Sequence, residues 1–204
     1  MSEQSSEPFD SNLIRQAGQL WERATHSPFL EGIRDGTLPK EAFHRWLIQD
    51  YHFVKAFLRF LGALLLRSDR PQQPLLVEGI VALDHELAWF EKQVQARGLD
   101  LKSPVHPFCQ RYNDFMLRAV HEESLSGLYA MLYSLEACYL AAWSSLKPEG
   151  PYQEFVERWS DPRFRDYVIK LRSLAENQTD APSQGLVDQC LRYEEDFWTM
   201  AMSG

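Results

Sequence analysis

The sequence predicts a single-domain, all-α helical bundle. Three observations carry this reading. Apolar residues recur at i, i+3 and i+4 along most of the chain. No segment alternates apolar and polar residues between turns, as a half-buried strand would. Gly, Pro and Asp fall between the periodic stretches rather than every ~10 residues, the spacing of an all-β chain. The connections are short, with no domain linker, internal repeat or low-complexity tract. At 204 residues, 45% of them hydrophobic, the chain can bury ~70% of its unfolded surface.

The elements follow in order. Met1 to Pro8 is polar and acidic and reads as disordered, so residues 1–10 form a tail ahead of a helical domain over 11–204. The first helix is expected over about 11–25. A short one over about 28–34 ends at Asp35-Gly36, a helix stop. The longest runs from Pro39 to about Ser68, with Phe43, Trp46, Leu47, Val54, Phe57, Leu58 and Leu61 on its apolar stripe. A fourth covers about 72–97 and stops at Gly98. Ser103-Pro104 pairs a cap with a Pro at the first helical position and opens the fifth, to about Glu122. Ser124 caps the sixth, to about Leu146. A short helix follows over about 151–159, Asp161-Pro162 opens the next to about Asn177, and Pro182 opens the last.

Charge and cysteine content exclude several functions. The chain has 21 basic and 29 acidic residues, a net charge of −8. A nucleic-acid or anionic-membrane surface needs a basic excess. No apolar run reaches the ~20 residues of a membrane span, and the N-terminus is not a signal peptide. Cys109, Cys138 and Cys190 contain no C-x-x-C pair and make no disulfide framework. A cytoplasmic protein without metal or redox use of its cysteines is expected.

The informative feature is acid where leucine belongs. Asp50 sits within the row Phe43, Trp46, Leu47, Asp50, Val54, Phe57. Glu136 sits within Leu125, Leu128, Tyr129, Leu132, Glu136, Tyr139, Trp143, and Glu194 within Val187, Cys190, Glu194, Phe197, Trp198, Ala201. Glu86 is a weaker fourth, at the edge of the Ile80, Leu83, Leu87, Phe90 stripe. Buried carboxylates are costly unless paired, hydrogen-bonded or protonated. The stripes carrying the first three contain no Lys or Arg. A metal, a basic or hydrogen-bond-donating ligand, or hydroxyls such as Tyr112, Tyr133 and Tyr139 remain as partners. One such acid alone is more often an edge residue or bonded to a buried Tyr; several on separate helices point to a site.

The metal alternative fits poorly. A di-iron bundle wants Glu-x-x-His on two helices, yet Trp89 follows Glu86 and Tyr139 follows Glu136 at that spacing. His26, His44, His52, His85, His106 and His121 all precede the last three helices. His26 lies in a helix-end turn, which makes a haem ligand unconvincing. An organic ligand with several N–H donors remains, and an aminopyrimidine fits. A carboxylate can grip its amidine-like edge bidentately, and its flat ring can stack on aromatic side chains.

Several strings resemble the TenA/thiaminase II family. They are His26-Ser-Pro-Phe29, Asp35-Gly-Thr-Leu-Pro39, Phe43, Gln49-Asp50-Tyr51, Arg111-Tyr112-Asn-Asp-Phe115-Met116 and Tyr193-Glu194-Glu-Asp-Phe197-Trp198-Thr-Met-Ala201. The resemblance runs in order from about residue 11 to 203. It implies a haem-oxygenase-like fold without haem or other cofactor. The activity it implies is hydrolysis of aminopyrimidines in thiamin salvage, as an aminohydrolase or formylaminopyrimidine deformylase. Asp50 matches the aspartate that holds the pyrimidine, Tyr112 a pocket tyrosine, Glu194 a proton-handling glutamate and Phe197 its aromatic neighbour. A homodimer or homotetramer is also implied.

Two departures matter. Ser134 takes the place of the nucleophilic Cys, and Phe53 stands where Cys-type members have Tyr. Leu135-Glu136-Ala-Cys-Tyr139 and Tyr152-Gln-Glu-Phe155-Val-Glu-Arg-Trp159 resemble the glutamate-type branch instead. Glu136, Glu194 and Asp50 are therefore the expected catalytic groups. Tyr112, Phe53, Trp159, Phe197, Ser134, Tyr133 and Glu86 are the expected binding residues. Cys-dependent thiaminase activity is not expected. The rivals are a non-catalytic pyrimidine-binding or regulatory protein, and a quinone-cofactor-synthase-like or di-iron oxidase of the same fold.

Elsewhere the plain reading is preferred. Leu61–Leu66 is a packing face or subunit contact, Asp84-His85-Glu86 a helix surface and edge, Cys109 and Cys190 core fillers. The charges from Glu154 to Arg165 are a solvated face.

Overall fold

The computed structural model describes residues 7–147, 149–180 and 184–203. Its helices are α1 (Asn12–Ala17), α2 (Gln19–Thr25), α3 (Pro28–Arg34), α4 (Lys40–Arg67) and α5 (Gln73–Ala96). They continue as α6 (Pro107–Glu122), α7 (Leu125–Ser144), α8 (Gln153–Trp159), α9 (Pro162–Glu176) and α10 (Gln184–Met202), with a 3-10 turn at Gly150–Tyr152. There is no strand among the described residues. Pro182, the expected start of the last helix, and residues 1–6 of the expected tail lie outside the described residues.

Local chemistry sets several of the helix starts. Ser11, Ser27 and Ser124 accept from the backbone N–H groups of Ile14, Leu30 and Gly127 at 3.2, 3.3 and 3.2 Å. Asp161 does the same for Arg163 at 2.8 Å. Each removes an orphan donor from a first turn. The helix expected over 11–25 is broken in two. Gly18, at φ 53°, takes a conformation that a side chain would resist.

The start of α6 is also corrected. Ser103-Pro104 does not open it. Gln49 of α4 donates to the Pro104 carbonyl at 3.0 Å and accepts from the His106 N–H at 2.7 Å. The loop is thereby held extended until His106 caps the helix through Phe108 N–H at 3.1 Å. A side chain from another helix sets this boundary.

The central element is α7, buried on nearly every face, as expected of a helix apolar all round. It packs on α9, α10, α2 and α8, while α4 packs on α5 and α6. Trp46 anchors the core, with Phe43 at 5.1 Å, Trp143 at 5.2 Å and Trp159 at 5.7 Å between ring centroids. Residues 7–10 are packed rather than loose. Tyr133 Oη donates to the Pro8 carbonyl at 2.8 Å, Arg172 donates to the Glu7 carbonyl, and the Phe9 ring lies 5.7 Å from Trp21.

All three cysteines are free and buried. Leu61 and Leu64 are fully buried, whereas Leu66 is 88% exposed. Among the described residues, no helix is long and apolar enough to cross a membrane.

Candidate active site

A cavity of about 600 Å³ opens between α4, α5, α7 and the α8–α9 segment, with α10 reaching its floor. Asp50, Glu86, Glu136 and Glu194 all line it, each from a different helix. Their chain separations range from 36 residues (Asp50 to Glu86) upward, so only the tertiary fold brings them together.

Three of the four carboxyls are held by an aromatic donor. Tyr139 Oη donates to Asp50 Oδ2 at 2.6 Å. Tyr112 Oη donates to Glu194 Oε1, and Trp159 Nε1 donates to Glu86 Oε1 at 2.9 Å. Glu136 has no hydrogen-bond partner among the described residues. Asp50 and Glu194 are almost completely buried, while Glu86 and Glu136 keep part of their surface open to the cavity.

Burial dominates the electrostatics. It pushes Asp50 well above the usual carboxyl range. The Tyr139 bond opposes this, and the charges of Glu86 and Glu194 add to it. Glu136 also goes well above, by burial and then by Glu86 and Glu194. Glu86 rises by burial, offset by Arg158 and Trp159. Glu194 is raised by burial to about 7, with the Tyr112 bond pulling back. A carboxyl raised to about 7, as Glu194 is, suits proton transfer at physiological pH.

Aromatic rings form the walls. Phe53, Phe57, Trp89, Tyr139, Trp159 and Phe164 line the cavity. Trp159 stands edge-on to Tyr139, with 5.2 Å between centroids. A flat ring can lie among these faces while a carboxyl takes its polar edge.

The sequence-expected residues divide into two groups. Asp50, Glu136, Glu194, Glu86, Phe53 and Trp159 line the cavity. Tyr112 and Phe197 do not: Tyr112 stands behind Glu194, stacked on Tyr193 at 4.7 Å, and Phe197 lies behind Phe53 at 6.0 Å. They support the site rather than wall it. Ser134 and Tyr133 are elsewhere. Ser134 donates to the Ala130 carbonyl at 2.5 Å, and Tyr133 reaches Pro8. Two residues along a helix is a turn of about 200°, so with Glu136 inward Ser134 faces away. Cys138 shares that far face, with its Sγ 3.7 Å from the Ala24 carbonyl and its thiol pushed up by burial.

The charges from Glu154 to Arg165 are not simply a solvated face. The α8–α9 segment lies across the cavity, and Glu154, Glu157, Arg158, Asp161 and Arg163 line it. Arg158 lies over the Trp89 ring at 4.6 Å. Asp84 and His85 are exposed as expected, but Glu86 turns inward. Tyr167 went unread in the sequence. It follows Phe164 and precedes Leu171 at helical spacing, a stripe that could have placed it inside. Among the described residues, no group of three or more His, Cys, Asp or Glu is disposed to hold a metal ion.

Comparison with known proteins agrees with this architecture. Residues 14–204 match the model of the TENA/THI-4/PQQC family. A probable bifunctional TENA-E protein of Glycine max is 23% identical, over 98% of this chain and 96% of its own. The aminopyrimidine aminohydrolase of Bacillus subtilis is 27% identical, over 95% and 89%. The crystal structure of a TenA homologue from Pyrococcus furiosus superposes with a TM-score of 0.87 at 31% identity, over 95% of this chain and 99% of its own. The fold is the all-α, haem-oxygenase-like fold of the TenA homologues.

Proposed function

Because the chain belongs to the TENA/THI-4/PQQC family, we propose that it is a carbon–nitrogen hydrolase of aminopyrimidines in thiamin salvage, working through glutamate rather than cysteine. The relatives named as aminopyrimidine aminohydrolases support the reaction class. One observation carries the branch assignment. On α7 it is Glu136 that lines the cavity, free of any hydrogen bond among the described residues, while Ser134 and Cys138 lie on the other side of the helix.

The overall change on an aminomethylpyrimidine is simple. A C–O bond forms from water, the C–N bond breaks, and ammonia leaves. Asp50, oriented by Tyr139, grips the amidine edge of the ring and shares its proton. The ionised form of Glu136, made more basic by burial, takes a proton from water or attacks directly. Glu194, with a pKa near 7, supplies a proton to the leaving nitrogen. Phe53 and Trp159 wall the ring, and Tyr112 and Phe197 brace Glu194 and Phe53. No cofactor takes part. An N-formyl derivative presents the same ring edge and belongs to the same substrate class.

The site is read as working in the cytoplasm within a homodimer or homotetramer. Exposed Leu66, Val77 and Val81, at 88%, 45% and 48%, offer apolar surface for assembly. The direct test of the chemistry is Glu136→Gln. It is expected to abolish turnover while the protein still binds the pyrimidine ring, read with the analogue that carries methyl in place of hydroxymethyl. Unchanged turnover overturns the role of Glu136.

A further inference from the structure

The carboxyls of the cavity are matched to aromatic donors in or behind its wall, with one carboxyl left open. Asp50 has Tyr139, Glu194 has Tyr112 and Glu86 has Trp159. Glu136 has no hydrogen-bonding partner among the described residues. On the facing helix α9, the Tyr167 hydroxyl is buried and has no hydrogen-bonding partner either. Both residues line the same cavity. An unsatisfied buried hydroxyl costs about 1–3 kcal/mol, which an acceptor arriving with a ligand would recover.

The fold makes room for this hydroxyl. A Cβ on Gly79 of α5 would stand 2.2 Å from Tyr167 Oη and 2.8 Å from Leu61 Cδ2. Only glycine leaves the niche in which the Tyr167 ring sits. Burial raises the Tyr167 pKa well above 10, with the Glu136 charge acting next and Glu78 after it. The group is therefore a neutral O–H donor at any pH at which the protein works.

We infer that Tyr167 is a further ligand-contacting residue, and that its hydroxyl and the Glu136 carboxyl together hold the oxygen that becomes the product hydroxyl. This rests on the reading of the cavity as an aminopyrimidine site. The complementarity is chemical. A water or alcohol oxygen offers one O–H to a carboxylate and a lone pair to a phenol. The open pair supplies one acceptor and one donor.

The test compares two ligands that differ only at this oxygen. One is 4-amino-5-hydroxymethyl-2-methylpyrimidine, and the other carries methyl in place of hydroxymethyl. Dissociation constants are measured on the wild-type protein and on Tyr167→Phe, with melting temperatures as a folding control. The wild type is expected to prefer the hydroxymethyl ligand by ~10-fold or more, since two hydrogen bonds to the oxygen are made. Tyr167→Phe should lose up to ~10-fold of this preference, the worth of the one hydrogen bond removed, with binding of the methyl ligand unchanged. A preference undiminished in Tyr167→Phe, or missing from the wild type, overturns the role of Tyr167 and leaves the pyrimidine site standing. A wild type that binds neither ligand overturns both.

Discussion

Tyr112 on α6 donates its hydroxyl to Glu194 on α10, a carboxyl that burial has raised to about 7. The bond stabilises the charged form of the acid and opposes desolvation. Glu194 is thereby poised between donating and holding a proton at neutral pH. The Tyr112 ring is itself fixed, stacked on Tyr193 at 4.7 Å and packed on Phe53 at 4.8 Å.

Removing that hydroxyl should move the titration. A hydrogen bond to a charged group contributes about 1.5–3 kcal/mol, equivalent to about 1–2 pKa units. Tyr112→Phe is therefore expected to shift the limb of the pH–rate profile that reports Glu194 upward by about one unit or more. A limb that stays in place would show that Tyr112 only packs.

Stability should fall as pH rises through this range. The folded pKa of Glu194 is raised, from 4.5 to about 7. Between those values the native state binds more protons than the unfolded chain. Stability is thus greatest below pH 4.5 for this group and declines toward pH 7, by about 3 kcal/mol if the whole shift is realised. Asp50 and Glu136 are raised too and act in the same direction. Urea midpoints across pH 5–8 should decrease, and Glu194→Gln should flatten the slope. Equal slopes in the two proteins would contradict the burial argument.

Asp50 is assigned to binding first. Asp50→Asn keeps the Tyr139 contact but loses the charge and proton-sharing that the amidine edge needs. A weakening of hydroxymethylpyrimidine binding by about 10-fold or more is expected, consistent with a charge-assisted hydrogen bond. Titration calorimetry reads it directly, and a wild-type dissociation constant would remove Asp50 from the ligand.

The long helices and the acids were legible because each shows a cost or a period within one segment. Asp50, Glu136 and Glu194 interrupt apolar stripes, and only an interior site repays that. Features decided between segments were not legible. Gln49 sets where α6 begins, from 57 residues away in the case of His106. The charges from Glu154 to Arg165 look like any exposed face until α8–α9 is laid across the cavity. Ser134 is expected in the site because it takes the place of the family's nucleophilic Cys, and Tyr133 because it adjoins that position. The helical turn of about 200° over two residues sends Ser134 away from the cavity, and Tyr133 is taken by the Pro8 carbonyl. Tyr167 was unread because its meaning depends on a glycine 88 residues earlier, Gly79.

The most direct test of the central claim is a substrate panel. The purified protein is incubated with thiamin, 4-amino-5-aminomethyl-2-methylpyrimidine and its N-formyl derivative, and ammonia, formate and thiazole are followed by chromatography. A glutamate-driven hydrolase releases ammonia and hydroxymethylpyrimidine from the aminomethyl compound and no thiazole from thiamin. Thiazole release would contradict it, as would no turnover alongside a melting temperature raised by hydroxymethylpyrimidine, which would make the protein a binding module.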